Sequence, residues 1–330
     1  MAADERSDDL GARREMVLAA LVDAGAEGVS GEVLASRLGC SRAAVHRHVE
    51  ALRRSGVEVE GTHGGYRLGA GADPVIPARV TPRLRPPLSG PVRWLADTGS
   101  TNDDVIAEAR AGAPEGLVIG ADHQGAGRGR RGRRWVAAPG DAILVSVLLR
   151  PRVAPVDAGF LPIVVAVAVA DALGPDARIK WPNDVLIGDR KVVGILCEMS
   201  ADQEHVAWAV VGIGVNVAAA PELDDARWRA GALHESGSRR PRADVLVDLL
   251  NALGDRYSGW IEAGPDAVLA EFAGRDSLAG RHVEASVGSE VVTGVCAGLD
   301  RLGRLLLRTD DGTRALGSGE VTRVRGDGDA

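Results

Sequence analysis

Residues 73–91 hold six prolines, Pro74, Pro77, Pro82, Pro86, Pro87 and Pro91. Proline fixes φ and lacks an amide donor, so neither a long helix nor a central strand can run through such a stretch. It shows no helical periodicity and reads as a stiff linker or a surface-crossing segment. It therefore divides the 330 residues, length enough for two or three domains with a buried core, into a short front and a long rear.

The front is helical. Val17, Leu18 and Leu21 share one face of a helix over 13–24, and 31–38 forms a second. Ser41 stands as the N-cap of a third, in which Val45, Val49 and Leu52 recur at i, i+4 and i+7. Arg42, His46, Arg47, Arg53 and Arg54 must then point away from the apolar face. Gly39 suits the tight turn of a helix-turn-helix. Residues 57–60 alternate like a strand, 62–65 read as a turn and 66–68 as a returning strand, which completes a winged helix.

Over residues 1–69 nine Arg stand against eleven Asp and Glu, but 40–55 hold four Arg against one Glu. The positive charge is concentrated on the third helix, where Ser41, Arg42, His46 and Arg47, with Arg67 on the wing, are the candidate DNA-binding residues. The competing reading is a helical domain for protein contacts with solvated arginines. One such module makes few phosphate contacts, so specific DNA binding calls for a dimer on paired half-sites.

A net charge of -7 argues against a protein that coats nucleic acid with its whole surface. Cys40, Cys197 and Cys296 are odd in number and form no CxxC, which indicates neither a disulfide framework nor a zinc site. The start, Met1 to Arg6, is acidic and lacks the apolar segment of a signal peptide. The most apolar run, 160–173, contains Pro162 and Asp171 and is too short to span a bilayer. A cytoplasmic protein with no membrane association is expected.

The rear alternates strands and helices: strands at 92–95, 117–120, 143–149, 192–198 and 206–217, and helices at 102–111 and 160–173. A sheet layered with helices, of mixed α/β or α+β type, results. From residue 278 the chain changes to short strands at 282–285, 290–296 and 304–308, separated by glycine-containing turns.

Three constellations in the rear carry chemistry. Ser100-Thr101-Asn102 starts a helix, either as a cap or as donors and acceptors turned into a pocket. The segment from Gln124 to Trp135 packs five arginines among glycines, a mobile loop that an anionic ligand would order, or else an RG-rich tract or solvated charge run. The third contains the only two lysines of the chain, Lys180 and Lys191, at the two ends of a stretch that begins Lys180-Trp181-Pro182-Asn183-Asp184. Arginine serves every other positive charge, so a lysine here points to a pocket that wants a compact point charge, unless the clustering is chance. Asn183 and Asp184 at a turn supply an amide and a carboxylate suited to Mg²⁺, directly or through water. Gly212 and Gly214 permit close approach by a flat ligand and Asn216 can read an adenine edge, but the glycines do not continue as a dinucleotide fingerprint.

Together, GRGRRG, KWPND and GxGxN in this order resemble the biotin protein ligases over nearly the whole chain. With the winged helix, the resemblance is to the bifunctional ligases that also repress transcription. It implies an α+β fold with three parts: a winged helix-turn-helix over 1–72 and, beyond a linker over 73–91, a catalytic domain of class II synthetase type over 92–273 and an SH3-like domain over 274–330. The implied reaction joins biotin to ATP as biotinyl-5′-AMP, then transfers biotin to a lysine of the biotin carboxyl carrier protein of acetyl-CoA carboxylase or a related carboxylase.

By the same resemblance, Lys191, Arg128 and Arg130 are the catalytic cations. Ser100, Thr101, Asn102, Gln124, Arg128, Gly129, Arg130, Lys191 and Gly194 bind biotin. Arg130, Trp135, Asn183, Asp184, Gly212, Gly214 and Asn216 bind ATP or the adenylate, and Asp184 holds Mg²⁺. ATP, biotin and Mg²⁺ are the implied cofactors and substrates, with operator DNA and a homodimer promoted by biotinyl-AMP as partners. Gly125 departs from the pattern, which has a glutamine there, and 221–242 follow no usable pattern. The alternatives are a biotin-sensing regulator without ligase activity and a ligase whose winged helix no longer represses.

Overall fold

The computed structural model describes residues 4–54, 56–221 and 229–324, and the chain divides into two compact units. The first runs to Val80 and includes 241–243; the second holds the remainder.

In the first unit, α1 (Asp4–Ala24), α2 (Gly31–Leu38) and α3 (Arg42–Arg54) precede a hairpin of β1 (Val59–Thr62) and β2 (Gly65–Leu68). Ser30 Oγ accepts from Val33 N at 3.1 Å and Ser41 Oγ from Ala44 N at 3.2 Å, which satisfies orphan donors at the starts of α2 and α3. Gly39 closes α2 at φ 59°, the left-handed conformation that the turn into α3 requires. Val17, Leu21, Leu34, Val45 and Val49 are fully buried together, so the i, i+4, i+7 face of α3 does pack inward.

Arg53 departs from the expectation that it points away. Its Nε donates to Val59 O at 2.8 Å and its Nη1 pairs with Glu50, so it ties α3 to the wing. In the proline-rich stretch, α4 (Pro77–Val80) forms where the sequence shows no periodicity, because Pro77 at the first helical position loses no hydrogen bond.

The second unit is built on a seven-stranded sheet of β3 (Val92–Thr98), β4 (Val118–Gln124), β5 (Ala142–Leu149), β6 (Ala177–Lys180), β7 (Asp184–Ile187), β8 (Arg190–Ala201) and β9 (Val206–Asn216). Its order is β3-β4-β5-β9-β8-β7-β6, with only β3 and β4 parallel. α5 (Thr101–Arg110), which comes after β3, packs on β4, β5 and β9, burying Val105 and Ala109 against Ile119, Leu148 and Val210. Short α6 (Pro155–Ala158) leads into α7 (Leu161–Leu173), which packs on β6, β7 and β8. The apolar span therefore reaches 19 residues, 155–173, longer than the run read from the sequence and sufficient by length and composition to cross a membrane. Residues 163–170 are each buried in the core, which accounts for their apolar character.

Two helices, α8 (Arg242–Ala263) and α9 (Asp266–Arg275), come next, then a five-stranded antiparallel sheet. Its strands are β10 (His282–Val287), β11 (Glu290–Leu299), β12 (Leu305–Thr309), β13 (Gly312–Leu316) and β14 (Glu320–Val324), in the order β13-β12-β11-β10-β14. Trp181, 2% exposed between β6 and β7, donates its Nε1 to Gly303 O at 2.9 Å and so fastens this sheet to the central one. Part of 221–242, residues 222–228, lies outside the described residues.

Candidate active site

Strand register assembles the site. Leu144 on β5, Gly214 on β9, Gly194 on β8, Asp184 on β7 and Lys180 on β6 are successive cross-strand partners, so one row crosses five strands on one face. In the next row, Ser146 faces Gly212, which faces Leu196. Lys180 and Asp184 are thus opposite each other across the β6–β7 hairpin, which explains why they stand four apart in sequence. Asp184 is the first residue of a strand and only Asn183 belongs to the turn, a correction to the expectation that both do.

Three glycines keep this face flat, but protein groups make the close approach that the sequence assigned to a ligand. A Cβ at Gly194 or Gly214 would lie 2.6 or 2.5 Å from the Trp135 ring, and one at Gly212 2.2 Å from Asn102 Oδ1. Above the rows lies a cavity of about 820 Å³. Every residue expected to bind biotin, ATP or adenylate lines it: Ser100, Thr101, Asn102, Gln124, Arg128, Gly129, Arg130, Trp135, Asn183, Asp184, Lys191, Gly194, Gly212, Gly214 and Asn216.

At one end the wall is a hydrogen-bonding network of hydroxyl and amide groups backed by one carboxylate. Thr101 donates from its N and its Oγ1 to Gln124 Oε1 at 2.8 and 3.0 Å, and Thr101 and Ser146 hydroxyls meet at 2.7 Å. Ser146 Oγ donates to Asn102 Oδ1 at 2.6 Å, and Asn102 Nδ2 donates to Glu198 at 2.7 Å. Ser100 makes no capping hydrogen bond, so of the two readings of this helix start the pocket is the one the geometry serves.

At the other end the groups are ionic. Lys191 Nζ is 2.6 Å from Asp184 Oδ1 and 5.7 Å from the Trp135 ring centroid. Lys180 Nζ is 3.9 Å from Asp184 Oδ2; burial pulls its ammonium down to about 8, Asp184 opposing the shift and Lys191 adding to it. Arg130 Nη1 donates to Asn183 Oδ1 at 3.2 Å, and burial, reinforced by Arg131, lowers its pKa. Asn183 in turn donates from Nδ2 to Ile195 O at 2.8 Å. Trp135 Nε1 and Asn216 Oδ1 are buried with no partner, polar atoms that a ligand can satisfy.

Three of the five loop arginines, Arg128, Arg131 and Arg133, find acidic partners on other elements, which offsets part of the repulsion expected among them. Arg131 Nη2 donates to Ser286 O at 2.8 Å, and Arg133 pairs with Glu320 at 2.8 Å, so the last sheet helps hold the loop. Arg128, expected as a catalytic cation, lines the pocket but is engaged by carboxylates. Its Nη1 is 2.6 and 2.7 Å from the two Asp103 oxygens and its Nη2 2.8 Å from Glu198, and Asp103 above all raises its pKa. The guanidinium fork matches carboxylates bidentately, and two of them claim it.

Ser146, Glu198, Asp103 and Glu320 carry no signal that sequence reasoning singles out. Asp103 and Glu198 adjoin motifs that do, whereas Glu320 reaches the site only through the fold. Among the described residues no group of three or more His, Cys, Asp or Glu side chains is placed to hold a metal ion. The three cysteines are unpaired as disulfides, and burial pushes the Cys197 thiol up to about 12.

On the first unit, Ser41, Arg42, His46, Arg47 and Arg67 are all exposed, so the face expected to meet DNA is open. Arg67 is partly offset by Glu60 at 2.7 Å, and His46 Nδ1 lies 3.3 Å from Tyr66 OH.

The pocket thus has a cationic end, an amide-and-hydroxyl end and an arginine loop among its lining residues. Residues 98–216 match the Biotin/lipoate A/B protein ligase family, 13–67 an HTH domain and 279–323 the Biotin protein ligase C terminal domain. The bifunctional ligase/repressor BirA of Bacillus subtilis is 33% identical over 307 residues, covering 90% of this chain and 94% of its own. The biotin–[acetyl-CoA-carboxylase] ligase of Mycobacterium tuberculosis is 36% identical over 242 residues, 70% of this chain and 88% of its own. A biotin protein ligase from Aquifex aeolicus, solved with biotin and ATP, superposes with a TM-score of 0.61 at 29% identity, over 71% of this chain and 98% of its own. The chain belongs to the biotin protein ligase family.

Proposed function

We propose that this protein activates biotin with ATP to biotinyl-5′-AMP, transfers the biotinyl group to a carrier-protein lysine, and represses transcription through its winged helix. One observation supports the catalytic half: a single pocket holds the neutral side chains of Thr101, Asn102 and Gln124 at one end and Lys191 and Arg130 at the other. The bicyclic urea of biotin needs donors and acceptors without charge, which Thr101, Asn102 and Gln124 supply. Its carboxylate and the nucleotide phosphates need cations, because two anions must be held together before they can react.

In the first step a biotin carboxylate oxygen attacks the α-phosphorus, the bond to the bridging oxygen breaks and pyrophosphate leaves. Lys191 and Arg130 stabilise charge on the phosphoryl oxygens, and fixing both substrates on one rigid sheet face supplies the orientation. Asn216 Oδ1 accepts from the adenine amine, and Trp135 covers the adenylate. In the second step the acceptor lysine amine attacks the acyl carbon and AMP leaves; the loop, braced by Arg128 and Arg133, keeps water from the anhydride meanwhile.

Mg²⁺ fits this site through one carboxylate at most. Asp184 is engaged by Lys191 at 2.6 Å, so the ion's other ligands would be phosphate and water oxygens, the pattern usual for Mg²⁺ with nucleotides. Bound there, it would neutralise phosphate charge.

The carrier domain of a carboxylase is the acceptor that the reaction needs, and a homodimer is the form that a single winged helix needs to read paired half-sites. Purified protein with ATP, Mg²⁺ and biotin forms biotinyl-AMP and labels an apo-carrier domain; absence of the adenylate sinks the ligase reading. Binding to its own upstream DNA strengthens with the adenylate; equal weak binding to any sequence removes the repressor.

A further inference from the structure

Glu198 takes no part in either chemical step, yet one of its oxygens holds two parts of the pocket together. Its Oε2 accepts from Asn102 Nδ2 at 2.7 Å and from Arg128 Nη2 at 2.8 Å. From Asn102 the hydrogen bonds run through Ser146 and Thr101 to Gln124. Gln124 and Arg128 bracket the start of the arginine loop, so the circuit closes at the loop's own base.

The count of available protons gives the circuit a direction. An ionised carboxylate only accepts, so Asn102 turns its Nδ2 to Glu198 and its Oδ1 to Ser146. Ser146 then commits its single proton to Asn102 and can only accept from Thr101. The hydroxyl proton of Thr101 is in turn committed between Ser146 Oγ and Gln124 Oε1, at 2.7 and 3.0 Å. Thr101, which lines the pocket, has no proton left to donate, so its oxygen can serve a ligand as an acceptor only.

We propose that Glu198 is a positioning residue whose charge fixes this proton order, so that the wall at Thr101 accepts from an N–H of a cyclic urea while Arg128 is kept at the loop base. The proposal rests on the biotin reading of the pocket. An amide in place of the carboxylate donates as well as accepts, lets Asn102 turn over and scrambles the order down to Thr101.

Calorimetric titration of the full chain with biotin, and separately with ATP, tests it through Glu198→Gln, Ser146→Ala and the double variant. Glu198→Gln should weaken biotin about tenfold, with ATP affinity and unfolding temperature unchanged. Ser146→Ala should weaken biotin by itself but add less than about twofold to Glu198→Gln, because both cut one chain. Wild-type biotin affinity in Glu198→Gln overturns the proposal, as do independent, multiplying effects of the two substitutions. Loss of ATP affinity and thermal stability in parallel with biotin affinity marks a merely structural role and also overturns it. Wild-type protein that binds no biotin overturns the ligase reading, and this proposal with it.

Discussion

Lys180 and Lys191 share the two oxygens of Asp184, but only Lys180 is sealed from solvent, at 2% exposure. Its folded value is about 8 against an ordinary 10.5, so between those limits the folded chain has released a proton that the unfolded chain still holds. Unfolding then takes up a proton, and stability rises with pH across that window, by at most about 1.4 kcal/mol per pH unit for one group. Denaturant unfolding from pH 7 to 10 should show the rise in the wild type and lose it in Lys180→Met. The scarcity of lysine points to this stretch from the sequence alone, and the pocket residues from Ser100 to Asn216 are legible there as well. Ser146, Glu198 and Glu320 are invisible in the sequence because their meaning lies in cross-strand and inter-sheet neighbours, which no local pattern encodes.

At the scale of elements, α1 begins nine residues before the helix read over 13–24, and α8 and α9 go unread, whereas α5, α7 and the longer strands of the central sheet are legible to within a few residues. The pair β6 and β7 is not: four-residue strands joined through a short turn carry too little pattern to register. The glycine rows gain their meaning only once β5, β8 and β9 are in register. Gly214→Ala puts a Cβ 2.5 Å from Trp135, so the indole must shift; the KM for ATP should rise about tenfold or more while the unfolding temperature changes little, measured by adenylate formation and calorimetry. In the winged helix, Ser41→Ala removes the hydroxyl that accepts from Ala44 N. It should cost about 1 kcal/mol in denaturant unfolding of the first unit and weaken operator binding.

Across the whole molecule, the order of winged helix, mixed sheet and small antiparallel sheet is legible because each part has its own hydrophobic period and the prolines mark a change between them. The part played by the last sheet is not legible: Glu320 and Ser286 hold arginines of a loop about 150 residues or more away in sequence. On the proposed mechanism, the Lys191 end of one pocket is responsible for activating biotin. The direct measurement is single-turnover formation of biotinyl-AMP from biotin, ATP and Mg²⁺ by the wild type and by Lys191→Ala, with mass-spectrometric detection of the adenylate. The wild type should form it, and Lys191→Ala should be slower by about 100-fold or more with the fold intact by circular dichroism. No adenylate from the wild type, or equal rates from the two proteins, would contradict that mechanism.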